Sequence, residues 1–529
     1  MSTQANLGDP RSTRSDVWAA LLIGLLTLAW LVFLADGRPG LDPDGARALH
    51  VAQNIATGEG QVIKYVDMDK GLTSHPDITK PPLFPAVIAL FILAGIVPKF
   101  AGWAVTFIGF AAATSFLYLL SRRVTSQAPA LLVAGLFATL MTGVRWGINL
   151  HEESLFLMLS FAALWLQMGI NPSAEAPGSW RQFFVGVLAG LAMLTSYQGL
   201  PLLISLGGFA LWHAWQMRSP RPLMAYIGGL ILVGALPLLH FLNTWNSGIR
   251  PGFDKGEPTW YITIAGEVSA WQRAFLGDLY VWLEDGSLSD LIIVGTFYTG
   301  LIALLALSWR NDHRLRLLVI YVTMYLVMVI MQLGGGGKPY FETRYNMPVE
   351  TLIVLMGIIF AGTLVRLMPR MGRHGLTVLG LLALLGYGHA QFNRYQEMMT
   401  DRKGEFCPAP ASIAWIKQHI PVDSVIMGSQ CTYQLFAETN AYNWLAIPPA
   451  RSEETPPPRW SEQDLLAAAQ RAGSQWVVLI TGKQQEPLMP KPGYGPFVEG
   501  LFAGRGSDHV HLAVRLPDGL IYRIRSQSN

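Results

Sequence analysis

PLFPAVIALFILAGIV, residues 82–97, decides how this chain is threaded. The run is apolar from end to end, yet it is short, follows Pro81 with another proline and carries a third at Pro85. A helix needs about 20 apolar residues to cross a hydrocarbon core. If this run crosses, every later loop changes sides, and Arg122-Arg123, Arg218/Arg221, Arg310/Arg314/Arg316 and Arg366/Arg370/Arg373 all face outward. That inverts the bias that keeps Lys and Arg on the cytoplasmic side. If the run lies along the outer interface instead, those four groups join Arg11, Arg14 and Arg181 in the cytoplasm. The charge pattern favours this second threading.

The composition agrees with a membrane chain. Of 529 residues, 51% are hydrophobic and 14% charged, which leaves too little polar surface for an ordinary soluble protein. Apolar runs near 17–35, 101–120, 128–144, 154–169, 183–198, 200–216, 223–243, 290–309, 315–332, 347–365 and 375–391 suit spans, roughly eleven in all. The first is longer than the apolar core of a signal peptide. A net charge of +3 spread over short clusters gives no nucleic-acid footprint.

The expected fold class is therefore a polytopic α-helical membrane protein with interfacial helices and a small soluble C-terminal α/β domain. Residues 1–391 form the membrane domain, with a first outer loop at 36–100. An odd number of spans delivers residues 392–529 to the outer face, where Ala411–His419 reads as helix and Trp476–Ile480 as strand. Cys407 and Cys431 both fall in this domain. An outward compartment permits a disulfide between them, and two separate buried thiols are the alternative.

Four polar stretches share the outer face: 36–100, 145–153, 243–290 and 334–346. In the first, Asp42 and Asp44 stand just beyond a span, where a carboxylate is costly to place. Either can cap the segment Ala46–Ala56, whose Ala48, Val51, Ala52 and Ile55 share an apolar face suited to an interface. Lys80 precedes two stiffening prolines and is either a snorkelling lysine or a point charge for a phosphate. His151-Glu152-Glu153 opens a span; one acid can serve the helix dipole, and Arg145 stands near enough to pair with an acid or an anionic substrate. Glu342-Thr343-Arg344-Tyr345 follows a glycine run that lacks the pattern of a phosphate-binding P-loop. Arg344 there can anchor the interface or grip a lipid-linked phosphate through two hydrogen bonds. No metal-ligand cluster stands out, although carboxylates from separate loops can meet around a hard divalent cation.

Taken in order, these features resemble the GT-C glycosyltransferases, in particular the branch of protein O-mannosyltransferases and the aminoarabinose transferase of lipid A. The resemblance rests on Asp44 followed by Ala52-Gln53-Asn54-Ile55-Ala56-Thr57-Gly58, on Lys80-Pro81-Pro82-Leu83-Phe84-Pro85, on Glu153-Ser154-Leu155-Phe156 and on Arg344-Tyr345-Asn346-Met347-Pro348. It covers about three quarters of the chain. Where many relatives carry Asp-Glu and a tyrosine, this sequence has Asp44-Gly45 and Ala48. The Trp-Trp-Asp-Tyr-Gly signature of oligosaccharyltransferases is absent, which disfavours block transfer of an oligosaccharide to asparagine.

The resemblance implies a polyprenyl-phosphate sugar donor taken from the outer leaflet, with its phosphate at Lys80 and Arg344. It implies a lipid, glycan or protein acceptor and inversion at the anomeric carbon. Asp44 is the implied general base, with Glu153 the second catalytic acid, and Asp42, Arg145, His151 and Tyr345 lie among the implied substrate-binding positions. The short basic loops are compatible with a bacterial inner membrane. Two other classes compete: a transporter or flippase of lipid-linked saccharides, which predicts charges near the bilayer midplane and internal repeats, and an inactive homologue acting as a scaffold.

Overall fold

The computed structural model describes residues 14–35, 41, 43–77, 80–170, 179–246, 288–311, 313–333, 347–367, 380, 385–389, 391–393, 395, 410–429, 439, 441–444, 460–480 and 495–525. Asp42, Arg344, Tyr345, Cys407 and Cys431 lie outside the described residues, and so does most of the run 375–391.

The first thirteen helices form one packed set. In chain order these begin with α1 (Arg14–Ala35) and α2 (Pro43–Ala56), followed after a hairpin by α3 (Leu83–Leu93), α4 (Pro98–Arg122), α5 (Gln127–Thr139), α6 (Met141–Ile148) and α7 (Glu153–Met168). They continue with α8 (Ser179–Thr195), α9 (Leu200–Gln216), α10 (Arg221–Asn246), α11 (Leu288–Asn311), α12 (His313–Leu333) and α13 (Met347–Leu367). Among the described residues, α1 and α4 are long and apolar enough to cross a bilayer, and shorter apolar helices include α3, α5 and α7. The decisive run forms α3, which has 11 residues. At 1.5 Å per residue it is about 16 Å long, roughly half a hydrocarbon core. The chain turns out of it at Gly95 and enters α4 with Pro98 in its first turn.

A continuous apolar core unites these helices, with Leu31, Leu49, Phe84, Phe110, Phe156 and Tyr321 fully buried in it. Outward, α1 exposes Trp18, Leu25 and Phe33, and the far end of α3 exposes Leu90 and Leu93. Large apolar side chains on the outside of a helix set suit contact with lipid rather than water. The α4–α7 pair is close because Gly109 faces the start of α7, where a Cβ would lie 3.1 Å from the Leu155 nitrogen. This contact fixes the height at which α7 begins, and therefore where His151, Glu152 and Glu153 sit.

The C-terminal segment forms helix on both sides of a sheet. Helix α14 (Pro410–His419) precedes β3 (Val425–Gly428) and β4 (Ala441–Asn443); α15 (Glu462–Ala472), β5 (Ser474–Ile480), α16 (Pro496–Phe502), β6 (Val510–Leu516) and β7 (Gly519–Ile524) complete it. Alternate residues of β5 serve opposite cores, Val477 and Leu479 packing with α15 and α16, Val478 and Ile480 with α14, as the two-residue period of a strand requires. Asp518, in the turn between β6 and β7, accepts the backbone N–H groups of Ala411 and Ser412 and so ties down the start of α14.

Two further strands come from the segment between α2 and α3. The hairpin β1 (Val62–Asp67) and β2 (Gly71–Pro76) is antiparallel, and β1 lies parallel to β4 through Tyr65 and Asn443. The seven strands run in the order β2-β1-β4-β3-β5-β7-β6. Val66 joins the core beneath α15, and Arg471 of α15 donates to the Met68 carbonyl at 2.7 Å. Asp67 closes the hairpin turn by accepting the N–H groups of Asp69 and Lys70, an Asx-type turn. Gly71 then has φ +73°, and a Cβ on it would stand 2.7 Å from the Arg471 Cβ. Gly71→Ala therefore combines left-handed strain with overpacking and is expected to cost about 3 kcal/mol. A fall in the thermal midpoint of the purified protein checks this; an unchanged midpoint would mean that the hairpin is not held against α15.

Candidate active site

The site forms where α2, the segment after β2, and the start of α7 converge. Helix α2 opens on Pro43, whose fixed φ suits a first helical position, and Asp44 follows in its first turn. An acid there complements the positive end of the helix dipole, so Asp44 has a structural reason as well as a chemical one. Its carboxylate remains one-third exposed. Lys80 reaches across from the Lys-Pro-Pro segment, its ammonium 2.6 Å from Glu152 Oε1 and 3.3 Å from Asp44 Oδ2. Prolines at 81 and 82 keep the residue before them out of the helical region, so the lysine approaches as a stiff arm.

His151 is fully buried, its ring edge-on to Trp146 with centroids 5.0 Å apart. Nδ1 meets the Glu153 carboxylate and lies 3.2 Å from Glu152 Oε2, so it donates into a pair of acids. Nε2 is 3.8 Å from Asp44 Oδ2. Asp44, Lys80, His151, Glu152 and Glu153 thus form one contiguous polar cluster from three separate parts of the sequence.

The charges in it depend on one another. Burial works against the Lys80 ammonium, but Glu152, Asp44 and Glu153 outweigh it and raise its pKa above the usual lysine range. Burial likewise opposes ionisation of Glu152, yet Lys80 and His151 hold it well below the usual carboxylate range. Both groups are therefore charged at neutral pH.

A small, partly open cavity lies beside this cluster, lined by Asp44, Lys80 and Glu152, by Ala48, Val51, Pro81, Phe84 and Pro85, and by Asp77 and Thr195. One side is apolar and the other acidic with a single lysine. Asp77 is buried and held by Arg47 through two hydrogen bonds, Nε at 3.1 Å and Nη2 at 2.8 Å. On the far side of α2, His50 is buried, and burial together with Lys64 and Arg47 pushes its pKa down to about 3. It stays neutral and accepts the Lys64 N–H at 3.3 Å, with its ring against Tyr442 of β4.

Of the residues singled out in the sequence, Asp44, Lys80, His151 and Glu153 meet here. Arg145 places its guanidinium over the ring of Trp146, at 5.6 Å, the same ring that His151 meets edge-on. Asp77 and Arg47 escaped the sequence reading. Glu152 was weighed together with Glu153, but only the latter matched the acid-Leu-Phe pattern. In the structure Glu152 is the N-cap and Glu153 the first helical residue, so the two point differently, Glu152 to Lys80 and Glu153 to His151. The histidines are scattered in sequence, yet His151, Glu152 and Glu153 offer ligand atoms within 4.8 Å of one another. One imidazole and two carboxylates suit a divalent ion; the Lys80 ammonium already neutralises Glu152 at the edge of that set.

The architecture is that of the GT-C glycosyltransferases. Solved structures with this fold include ArnT from Cupriavidus metallidurans bound to undecaprenyl phosphate, at 13% identity and a TM-score of 0.57 over 97% of this chain and 98% of that one. The archaeal oligosaccharyltransferase AglB from Archaeoglobus fulgidus, in complex with an inhibitory peptide and a dolichol-phosphate, gives 11% and 0.51 over 88% and 70%. The arabinofuranosyltransferase AftD from Mycobacteria gives 13% and 0.55 over 98% of this chain and 40% of its own length. Within the chain, residues 79–241 match a family model described as dolichyl-phosphate-mannose-protein mannosyltransferase. No curated protein sequence matches.

Proposed function

We propose that this protein transfers a sugar from a polyprenyl-phosphate donor to an acceptor hydroxyl at the outer face of a membrane. The observation that carries this reading is the meeting of Asp44, Lys80, His151 and Glu152 beside a cavity with one apolar side. Lys80 receives the donor phosphate, and Pro81, Phe84 and Pro85 meet the apolar part of the lipid. Arg344 and Tyr345, proposed from the sequence, add a second grip on the phosphate. Asp44 takes the proton of the acceptor hydroxyl as its oxygen attacks the anomeric carbon. The bond from that carbon to the phosphate oxygen breaks, the electron pair leaves with the phosphate, and Lys80 stabilises the charge that develops there. Displacement from the opposite face inverts the configuration. Glu152 keeps Lys80 charged and in place, while Glu153 orients His151.

In this reading the roughly eleven-span thread holds, and the cavity, the hairpin and the C-terminal segment are extracytoplasmic. Two solved relatives by fold carry a polyprenyl or dolichol phosphate, which supports a lipid-phosphate donor here. The deciding assay supplies the purified protein with radiolabelled polyprenyl-phosphate hexoses and pentoses and a membrane-glycan extract as acceptor. Label moving into acceptor with release of polyprenyl phosphate is the expected result. Donors that stay intact across the panel, while vesicle assays show their translocation, would establish a flippase instead.

A further inference from the structure

Gln61 stands at the root of the hairpin, immediately before β1, and its side-chain amide reaches the segment that leaves β2. Nε2 donates to the Asp77 carbonyl at 2.7 Å and to the Lys80 carbonyl at 2.9 Å. The backbone adds a third link, Asp77 N–H to the Gln61 carbonyl at 2.9 Å. One side chain therefore holds the backbone of two cavity residues, Asp77 and Lys80, at a fixed separation.

Gln61 is itself held from both ends. On one side, Asn54 of α2 donates to the Val62 carbonyl at 2.8 Å, so the residue after Gln61 is fastened to the helix that carries Asp44. On the other, the hairpin is built into the sheet through β4 and clamped by α15 at Met68 and Gly71. Pro81 and Pro82 transmit position, because the lysine's own backbone has little freedom before a proline. A displacement of the Lys80 carbonyl consequently moves its ammonium relative to Asp44 and Glu152.

We infer that Gln61 is a positioning residue for Lys80, and that the C-terminal sheet, through the hairpin, is a fixed support of the donor-phosphate site. This rests on the reading of Lys80 as the phosphate anchor. Gln61 touches no substrate in this account; it acts by holding the backbone from which the ammonium is presented.

The test measures the affinity of full-length purified protein in nanodiscs for undecaprenyl phosphate, with Gln61→Met, Gln61→Glu, Lys80→Ala and the Gln61→Met/Lys80→Ala pair. Methionine keeps the length of the side chain and removes both donated hydrogen bonds, and glutamate keeps the shape but faces two carbonyls without an N–H. Each Gln61 variant should raise Kd by roughly fivefold to tenfold, the loss that one or two hydrogen bonds support. If Gln61 acts through Lys80, the methionine change adds nothing once Lys80 is alanine. Additive effects in the pair would overturn the inference, because a general loosening of the fold does not need the lysine. An unchanged Kd in both Gln61 variants beside a raised Kd in Lys80→Ala would also overturn it, while sparing the phosphate reading. An unchanged Kd in Lys80→Ala would overturn that reading and the inference with it. Should the methionine variant fail to fold, Gln61→Glu and its own pair with Lys80→Ala carry the same comparison.

Discussion

Asp44→Asn is expected to lower the turnover of sugar transfer by about a thousandfold while the protein accumulates and folds as before. Loss of a positioned general base costs on the order of 10²–10⁴ in rate. Asparagine preserves the shape and can still accept a hydrogen bond from Lys80, so donor binding changes little. Single-turnover measurements with a radiolabelled polyprenyl-phosphate sugar separate the two effects. Retained transfer would move the base to Asp42 or Glu153. Asp44 is the better candidate because its carboxylate is one-third exposed to the cavity side, whereas Glu153 is buried against His151.

Lys80→Ala is the second large effect, and it has two components. Donor affinity should fall by roughly tenfold to a hundredfold, the contribution of a hydrogen bond to a charged group. Stability should fall as well, because Glu152 is 10% exposed and loses its nearest cation. Breaking a buried ion pair from one side costs about 3–5 kcal/mol when the remaining charge has no other support; His151 offers some here, so the lower end applies. Adding Glu152→Gln to Lys80→Ala should restore much of the thermal midpoint without restoring donor affinity. If both recover together, Lys80 serves only to neutralise Glu152, and the phosphate lies elsewhere.

Much of this site was legible in the sequence because its chemistry is carried by local patterns. Asp44 beyond a span, Lys80 before two prolines and an acid at the start of a helix each announce themselves within a few residues. The helical reading of 411–419 and the strand at 476–480 were legible for the same reason, since apolar periodicity is a local property. Glu152 was hidden by a rotation: neighbours at a helix start differ in direction by about 100°, and no pattern says which of two glutamates turns toward a lysine more than seventy positions away in the chain. Asp77 and Gln61 were hidden because their roles exist only once β1 and β2 pair. The hairpin itself left a signal, the β-branched and aromatic run Val62-Ile63-Lys64-Tyr65-Val66 followed by a turn and Gly71. Its attachment to β4 left none, because a parallel partner hundreds of residues away is specified by tertiary fit alone.

That attachment has a consequence for how the molecule is made. The hairpin leaves the ribosome long before β4 exists, an interval on the order of tens of seconds at ordinary translation rates. During it, β1 presents an unpaired edge, and a two-stranded ribbon is marginally stable by itself. The polar faces of Lys64 and Glu59, paired at the surface, help keep the waiting strand from foreign partners. A chain released before residue 441 can form helices α1 to α13 and still lack the strand on which the hairpin before Lys80 pairs. Maturation of the proposed donor site is thereby tied to completion of translation, a form of quality control written into strand order.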